Sequence, residues 1–224
     1  MQGKLIVLEG LDGSGKSTQL DRLAGRLAET GAQVRKIKLP DYDDPSSTLV
    51  RMYLGGEFGS DPAAVNAYTA SAFYAVDRAA HYLRKWRGDY ENGAVILADR
   101  YTTSNAYHQL QKLPRAQWDD YLVWLEDFEY GRLCLPKPDC VVYLDMPIDV
   151  SQRLMTRRYA GDEGKKDIHE ANVAYLTACR TAALYAADKL GWHVLRCAAD
   201  GLPLPIDAIA QTVWQIVSKE FVTE

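Results

Sequence analysis

The chain reads as a doubly wound α/β domain, a three-layer fold in which a parallel sheet of about five strands carries helices on both faces. Three observations predict it. Short apolar runs recur at Lys4–Glu9, Ala94–Ala98 and Cys140–Leu144, the composition of strands buried on both faces. Stretches with apolar residues at helical spacing separate them. The first run also leads through a glycine-rich turn straight into a helix, the opening of a right-handed crossover unit.

That turn is Gly10-Leu11-Asp12-Gly13-Ser14-Gly15-Lys16-Ser17, followed by Thr18. It fits the phosphate-binding pattern G-x-x-x-x-G-K-[ST] at every fixed position, and the helix after it carries Leu20, Leu23, Ala24, Leu27 and Ala28 at helical spacing. Its glycines let backbone N–H groups and the helix N-terminus face a phosphate. Lys16 offers a point charge for β- and γ-phosphates, and the Ser17 hydroxyl a ligand for Mg2+. A glycine-rich turn that merely joined strand to helix would have no use for the lysine or the hydroxyl.

Further along, 33–38 alternates as a half-covered strand, 39–47 is a loop by composition, and 48–53 is a short helix ended by Gly55-Gly56. A long alanine- and aromatic-rich helix is expected over 63–87, apolar enough to cross the body of the domain. The run at 94–98 delivers Asp99-Arg100-Tyr101 at its C-terminal end. Helices follow over 102–112 and 115–130, then a strand over 140–144 that delivers Asp145, then an arginine-rich helix over 148–158. A polar segment at 159–166, with Gly161 and Gly164, is expected to be mobile. A helix over 168–190, a strand over 192–197 and a helix over 206–217 close the chain. Ligands of such sheets sit outside the carboxyl ends of the strands. Asp12, Asp41, Asp99 and Asp145 are therefore expected to share one crevice.

The chain has 224 residues, 47% hydrophobic and 25% charged, which suits one soluble globular domain over 1–224 with a lid at about 153–167. A net charge of −4 gives no basic face for nucleic acid. No run has membrane-spanning length and no signal peptide is expected. The four cysteines are far apart, without metal-ligand spacing, and read as reduced and mostly packed, as in cytoplasm.

Asp99 can hold Mg2+ or its waters, and Arg100 a second phosphate; a plain ion pair at a strand end is the alternative. Arg153, Arg157 and Arg158 either form a solvated basic face or close as a lid over phosphates. Tyr74 and Arg78, one helical turn apart, can stack on and donate to a planar base; alternatively Phe73 and Tyr74 are core and Arg78 pairs with Asp77. Asn105, His108 and Gln109 are site residues or ordinary helix positions, and spacing leaves both open. His169 and Glu170 begin the helix after the lid.

Taken together, these motifs resemble the thymidylate kinase family of P-loop nucleoside monophosphate kinases. The resemblance covers nearly the whole chain. It rests on Glu9–Thr18, on Tyr74-Ala75-Val76-Asp77-Arg78, on Asp99-Arg100-Tyr101 with Ser104-Asn105, and on Leu144-Asp145-Met146-Pro147 before the arginine-rich segment. It implies a P-loop kinase fold that phosphorylates dTMP with ATP and Mg2+, usually as a homodimer. Gly10 to Thr18 would hold the donor, and Ser17 and Asp99 the metal. The resemblance places Asp12 at the sugar 3′-hydroxyl, Tyr74 on the base and Arg78 at a thymine carbonyl. It places Arg100 on the acceptor phosphate, and Asn105, Gln109 and His169 around the acceptor nucleotide. Arg157 or Arg158 would serve the donor phosphates, because Gly13 and Ser14 stand where some members carry a loop arginine. The chain departs from the family at Tyr74, commonly Phe, at Asp41-Tyr42, where an arginine is frequent, and at His108 and His169, where some members have tyrosine. These departures motivate a second reading, a kinase for another deoxynucleotide or a deoxynucleoside. A nucleotide-dependent switch is a third, weakened by the lack of an Asn-Lys-x-Asp sequence.

Overall fold

The structure, a computed structural model, describes residues 2–59, 61–158 and 173–221. Five parallel strands form one sheet: β1 (Lys4–Glu9), β2 (Val34–Lys38), β3 (Val95–Asp99), β4 (Cys140–Asp145) and β5 (His193–Arg196), in the order β2-β3-β1-β4-β5. From β1 the chain goes to the edge strand β2, returns to β3 and then crosses β1 to β4 and β5, so the connections part at β1 and a crevice opens above its C-terminal end. Alternation along the strands divides the core in two. Leu5, Val7, Ile96 and Ala98 face one helical layer, and Ile6, Leu8, Val95 and Leu97 face the other.

Helices α1 (Lys16–Glu29), α7 (Ile148–Arg158) and α9 (Ile206–Val217) contribute to the second of these layers. The first is built from α3 (Ala67–His81), α5 (Thr102–His108), α6 (Trp118–Glu126) and α8 (Val173–Leu190). Short helices α2 (Thr48–Leu54) and α4 (Arg87–Glu91) complete the set among the described residues.

Several expected elements change shape. The long helix begins at Ala67, because Asn66 caps it by accepting from the Thr69 N–H at 2.9 Å. It passes into a π-helical turn at Tyr82–Trp86 before α4. It does not cross the body of the domain: small residues such as Ala70, Ser71 and Ala75 are buried, while Val76 and Leu83 are exposed. The expected helix over 115–130 ends in a second π-helical turn, Asp127–Arg132. That over 102–112 stops at His108, before a short 3-10 turn at Leu110–Lys112. A small hairpin of β6 (Ala198–Ala199) and β7 (Leu202–Pro203) was not expected. Its Asp200-Gly201 turn has positive φ at both residues, 49° and 71°, the conformation an Asp-Gly pair adopts readily. The expected mobile segment at 159–166 and the start of the helix from 168 lie outside the described residues.

Candidate active site

The glycine-rich loop has the backbone its sequence requires. Gly10 has φ +148°, and a Cβ there would lie 2.6 Å from Ser14 Oγ and 2.9 Å from the Leu144 carbonyl. Gly13 has φ +78°, and a Cβ would meet the Ser151 carbonyl at 2.7 Å. No other residue type fits either position without movement. Lys16 is buried, and its Nζ donates to the carbonyls of Gly10 (2.8 Å) and Leu11 (3.1 Å). Burial, then the neighbouring Arg100 charge, lower its pKa, against Asp12 and Asp99. Ser17 Oγ donates to Asp99 Oδ2 at 2.7 Å. A hydroxyl and a carboxylate so close, beside a phosphate loop, are the hard oxygen donors that Mg2+ prefers.

Arg100 follows β3 at φ +71°, a left-handed conformation that costs a non-glycine residue of order 1 kcal/mol or more. Glu9, fully buried at the end of β1, holds the turn in place. Its carboxylate accepts from Tyr101 N (3.1 Å), Thr103 Oγ1 (2.6 Å), Ser104 Oγ (2.9 Å) and Tyr107 OH (2.8 Å). The strained turn aims the guanidinium at the loop, where Nη2 donates to Asp12 Oδ1 at 2.5 Å. Nη1 lies 3.3 Å from Tyr107 OH and 3.2 Å from His108 Nε2. Asp12 Oδ1 is also 3.9 Å from Lys16 Nζ. Burial works to raise the Asp12 carboxyl, but Arg100 and then Lys16 hold it well below the usual carboxylate range. The two cations expected of a transfer site thus meet across one aspartate.

Two cavities open from this point. The first, about 320 Å³, is lined by Asp12, Tyr74, Arg78, Arg100, Asn105, His108 and Gln109 among others. Arg78 does not pair with Asp77. Its Nε and Nη2 donate to Glu129 at 2.6 and 2.9 Å, both side chains being almost fully buried. Asp77 accepts instead from Ser46 Oγ at 2.6 Å. Glu129 also accepts from Thr102 Oγ1 (2.8 Å) and Asn105 Nδ2 (3.0 Å). The second π-helical turn places it, and nothing in the local sequence marks Glu129 as the residue turned inward. Asn105 Nδ2 donates in addition to the Ser71 carbonyl, so its amide N–H groups are engaged within the protein. Tyr74 is half-buried, edge-on to Tyr53 at 6.3 Å, and Gln109 Oε1 is buried without a partner.

The second cavity, about 520 Å³, runs along Gly13 to Gln19 and Asp99 to an apolar wall of Met146, Leu154, Met155, Pro203, Leu204, Ile206 and Ile209. The wall at 203–209 was not foreseen. Its signal in the sequence was the Asp200-Gly201 turn between apolar residues.

Other expectations fail on geometry. Asp145 is held by Arg180 at 2.6 and 2.8 Å, and Asp41 by Lys85 at 2.6 Å, and neither lines either of these two cavities. Only Asp12 and Asp99 of the four aspartates face the crevice, because helix-borne cations draw the others away. Arg153 does not reach over the phosphate loop: it pairs with Asp149 at 3.0 Å and donates to the Gly201 carbonyl. The side chains of Arg157 and Arg158, and the whole of His169, lie outside the described residues.

A family model described as thymidylate kinase matches residues 8–200. Thymidylate kinase of Mycobacterium tuberculosis is 30% identical over 186 residues, covering 81% of this chain and 84% of that protein. A probable thymidylate kinase of Thermococcus kodakarensis is 34% identical over 164 residues, covering 72% and 75%. A solved structure of thymidylate kinase from Candida albicans superposes with a TM-score of 0.72 at 22% identity, over 100% of this chain and 96% of that one, a likeness of fold. On a sequence match that takes in the phosphate loop and the Asp-Arg turn alike, the chain belongs to the thymidylate kinase family.

Proposed function

We propose that the protein transfers the γ-phosphoryl group of ATP to dTMP, giving dTDP. The observation that carries this is the meeting of Lys16 and Arg100 at Asp12, where the two cavities join. The loop from Gly10 through Gly13, Ser14 and Gly15 to Thr18 holds the donor phosphates, and Lys16 leaves its carbonyl partners to meet them. Ser17 and Asp99 hold Mg2+, which neutralises charge on the donor phosphates when bound. Arg100 binds the acceptor phosphate. That oxygen is already anionic, so no general base is needed; the protein's task is alignment and charge neutralisation.

On the acceptor side, Asp12 receives the sugar 3′-hydroxyl and Tyr74 stacks on the base. Arg78 Nη1, left over from the Glu129 pair, donates to a base carbonyl. Asn105, Gln109 and His169 complete that side, and Arg157 or Arg158 serves the donor phosphates. The domain works as a single unit over 1–224.

Pairing as a homodimer is supported by the outward apolar side chains Val76, Leu83 and Val123, exposed at 53%, 61% and 70%. Light scattering on the purified protein tests it, and a monomer at micromolar concentration would reject it. A cytoplasmic location is supported by the free cysteines, three of them buried. No helix among the described residues is long and apolar enough to cross a membrane.

The deciding experiment is a product assay with Mg-ATP and a panel of dTMP, dUMP, dCMP and thymidine. Formation of dTDP at the highest kcat/KM is expected. Preference for dCMP or for the nucleoside would reject the substrate while leaving the donor site standing.

A further inference from the structure

We infer that Lys38 is a further catalytic residue, a cation that accompanies the phosphoryl group from donor to acceptor. The inference rests on the reading of the two cavities given above. Among the described residues, three line both cavities: Asp12, Arg100 and Lys38. The first two are engaged with each other. Lys38 is exposed and makes no hydrogen bond or ion pair.

Strand geometry explains where it points. Side chains two apart on a strand share a face. Lys36 reaches Asp21 of α1 at 2.6 Å, so Lys38 stands on the same face, one step nearer the α1 N-terminus. Register places Lys38 beside Asp99, whose carboxylate binds Ser17. It stands at the C-terminal end of the edge strand β2, where both cavities are lined by this residue.

Charge counting gives the lysine its role. At the junction the two cations Lys16 and Arg100 face the two carboxylates Asp12 and Asp99, so these four side chains are together close to neutral. Lys38 restores a net positive charge where the equatorial oxygens of the moving group collect negative charge. In the step, the bond from the γ-phosphorus to the β,γ-bridging oxygen breaks and its electron pair stays on ADP. A new bond forms from phosphorus to an acceptor phosphate oxygen. Lys38 donates N–H hydrogen bonds to the transferring oxygens and gives up no proton.

The test uses the full chain with Lys38→Met, which keeps most of the stem, and Lys38→Arg, which keeps the charge. With Mg-ATP and dTMP, Lys38→Met is expected to lose about tenfold or more in kcat. Both KM values should stay within about threefold, and Lys38→Arg should recover most of the rate. Thermal unfolding should be unchanged, since the side chain is exposed. A Lys38→Met enzyme with kcat within about twofold of wild type overturns the inference. So does a change confined to one KM, the mark of a cation that only helps binding. Either result beside an active wild type leaves the proposed function intact; a wild type inactive on dTMP overturns both.

Discussion

The cavity proposed for the acceptor is walled by side chains that hold one another. Glu129, buried completely, grips Arg78, Asn105 and Thr102, and Glu9 grips the turn that carries Arg100. The cavity proposed for the donor shares Asp12, Lys38 and Arg100 with it and adds Lys16, Ser17 and Asp99, but beyond these charged groups it is walled by the loop at 13–15 and the apolar surface of Leu154, Pro203, Leu204 and Ile209. A buried, mutually satisfied polar network can reject a ligand that leaves one of its groups unpaired, at a cost of several kcal/mol. Backbone N–H groups and dispersion hold charge and a flat ring without reading the ring's edges. On the proposed function, the first cavity identifies its ligand and the second anchors one.

The harshest break to this contrast falls on the anchor. Lys16→Ala should lower kcat about a thousandfold or more, about 4 kcal/mol in the barrier, while circular dichroism shows an intact fold. Wild-type turnover in that variant would remove the loop from the mechanism. Arg100→Ala should raise the KM for dTMP more than that for ATP; the reverse would exchange the two cavities. Next comes Glu129→Gln, which leaves the Arg78 charge buried without its counter-ion. Breaking such a pair costs about 3–5 kcal/mol, so a large drop in urea stability is expected, with a raised KM for dTMP and little change for ATP. The double variant Arg78→Met with Glu129→Leu separates packing from recognition. It should regain stability and yet fail to prefer dTMP over dCMP. If it keeps that preference, the network is structural only.

How much of this could be read beforehand follows from the range of the interactions. The phosphate loop, β1, β3, β4, α7 and α9 are encoded by neighbours in sequence, and the structure has them close to where periodicity puts them. That Lys16, Ser17, Asp99 and Arg100 come together was legible for the same reason, since each ends a strand or starts a helix at the carboxyl edge of the sheet. Glu129 was not, because a π-helical turn shifts the face a residue presents, and its partner Arg78 lies 51 positions away. Asp145 and Asp41 were misplaced because Arg180 and Lys85, which draw them off, arrive from distant helices. The apolar wall at 203–209 needed the small hairpin, two residues per strand, too short to show a period.

A gentler test of the contrast exchanges ligands rather than residues. Replacing ATP by GTP should lower kcat/KM by about tenfold or less, whereas replacing dTMP by dCMP should lower it by more, about a hundredfold. Equal losses on the two sides would mean that the donor cavity reads its base as well.

The smallest expected effect concerns how the acceptor side is braced. Lys112, just past α5, donates to Tyr53 OH of α2 at 2.8 Å and to the Val65 carbonyl at 3.1 Å, tying the outer elements of that side to α5. Burial pulls its pKa down from 10.5 to about 8. On raising the pH from 8 toward 10.5, the folded chain gives up this proton before the unfolded chain does. The unfolded state then binds more protons, so stability contributed by this site rises with pH across that window. Below pH 8 both states hold the proton and the cost of the buried charge is felt in full. Neutral Lys112 still donates to both partners, so the brace survives its titration. Measured against Lys112→Met by urea unfolding, the wild type should therefore gain about 1 kcal/mol between pH 8 and 10, a figure reduced for the partial solvent screening of a half-buried amine. A difference that stays flat or shrinks over that range would show that the ammonium is already well solvated, and that α2 is held to the acceptor side by packing alone.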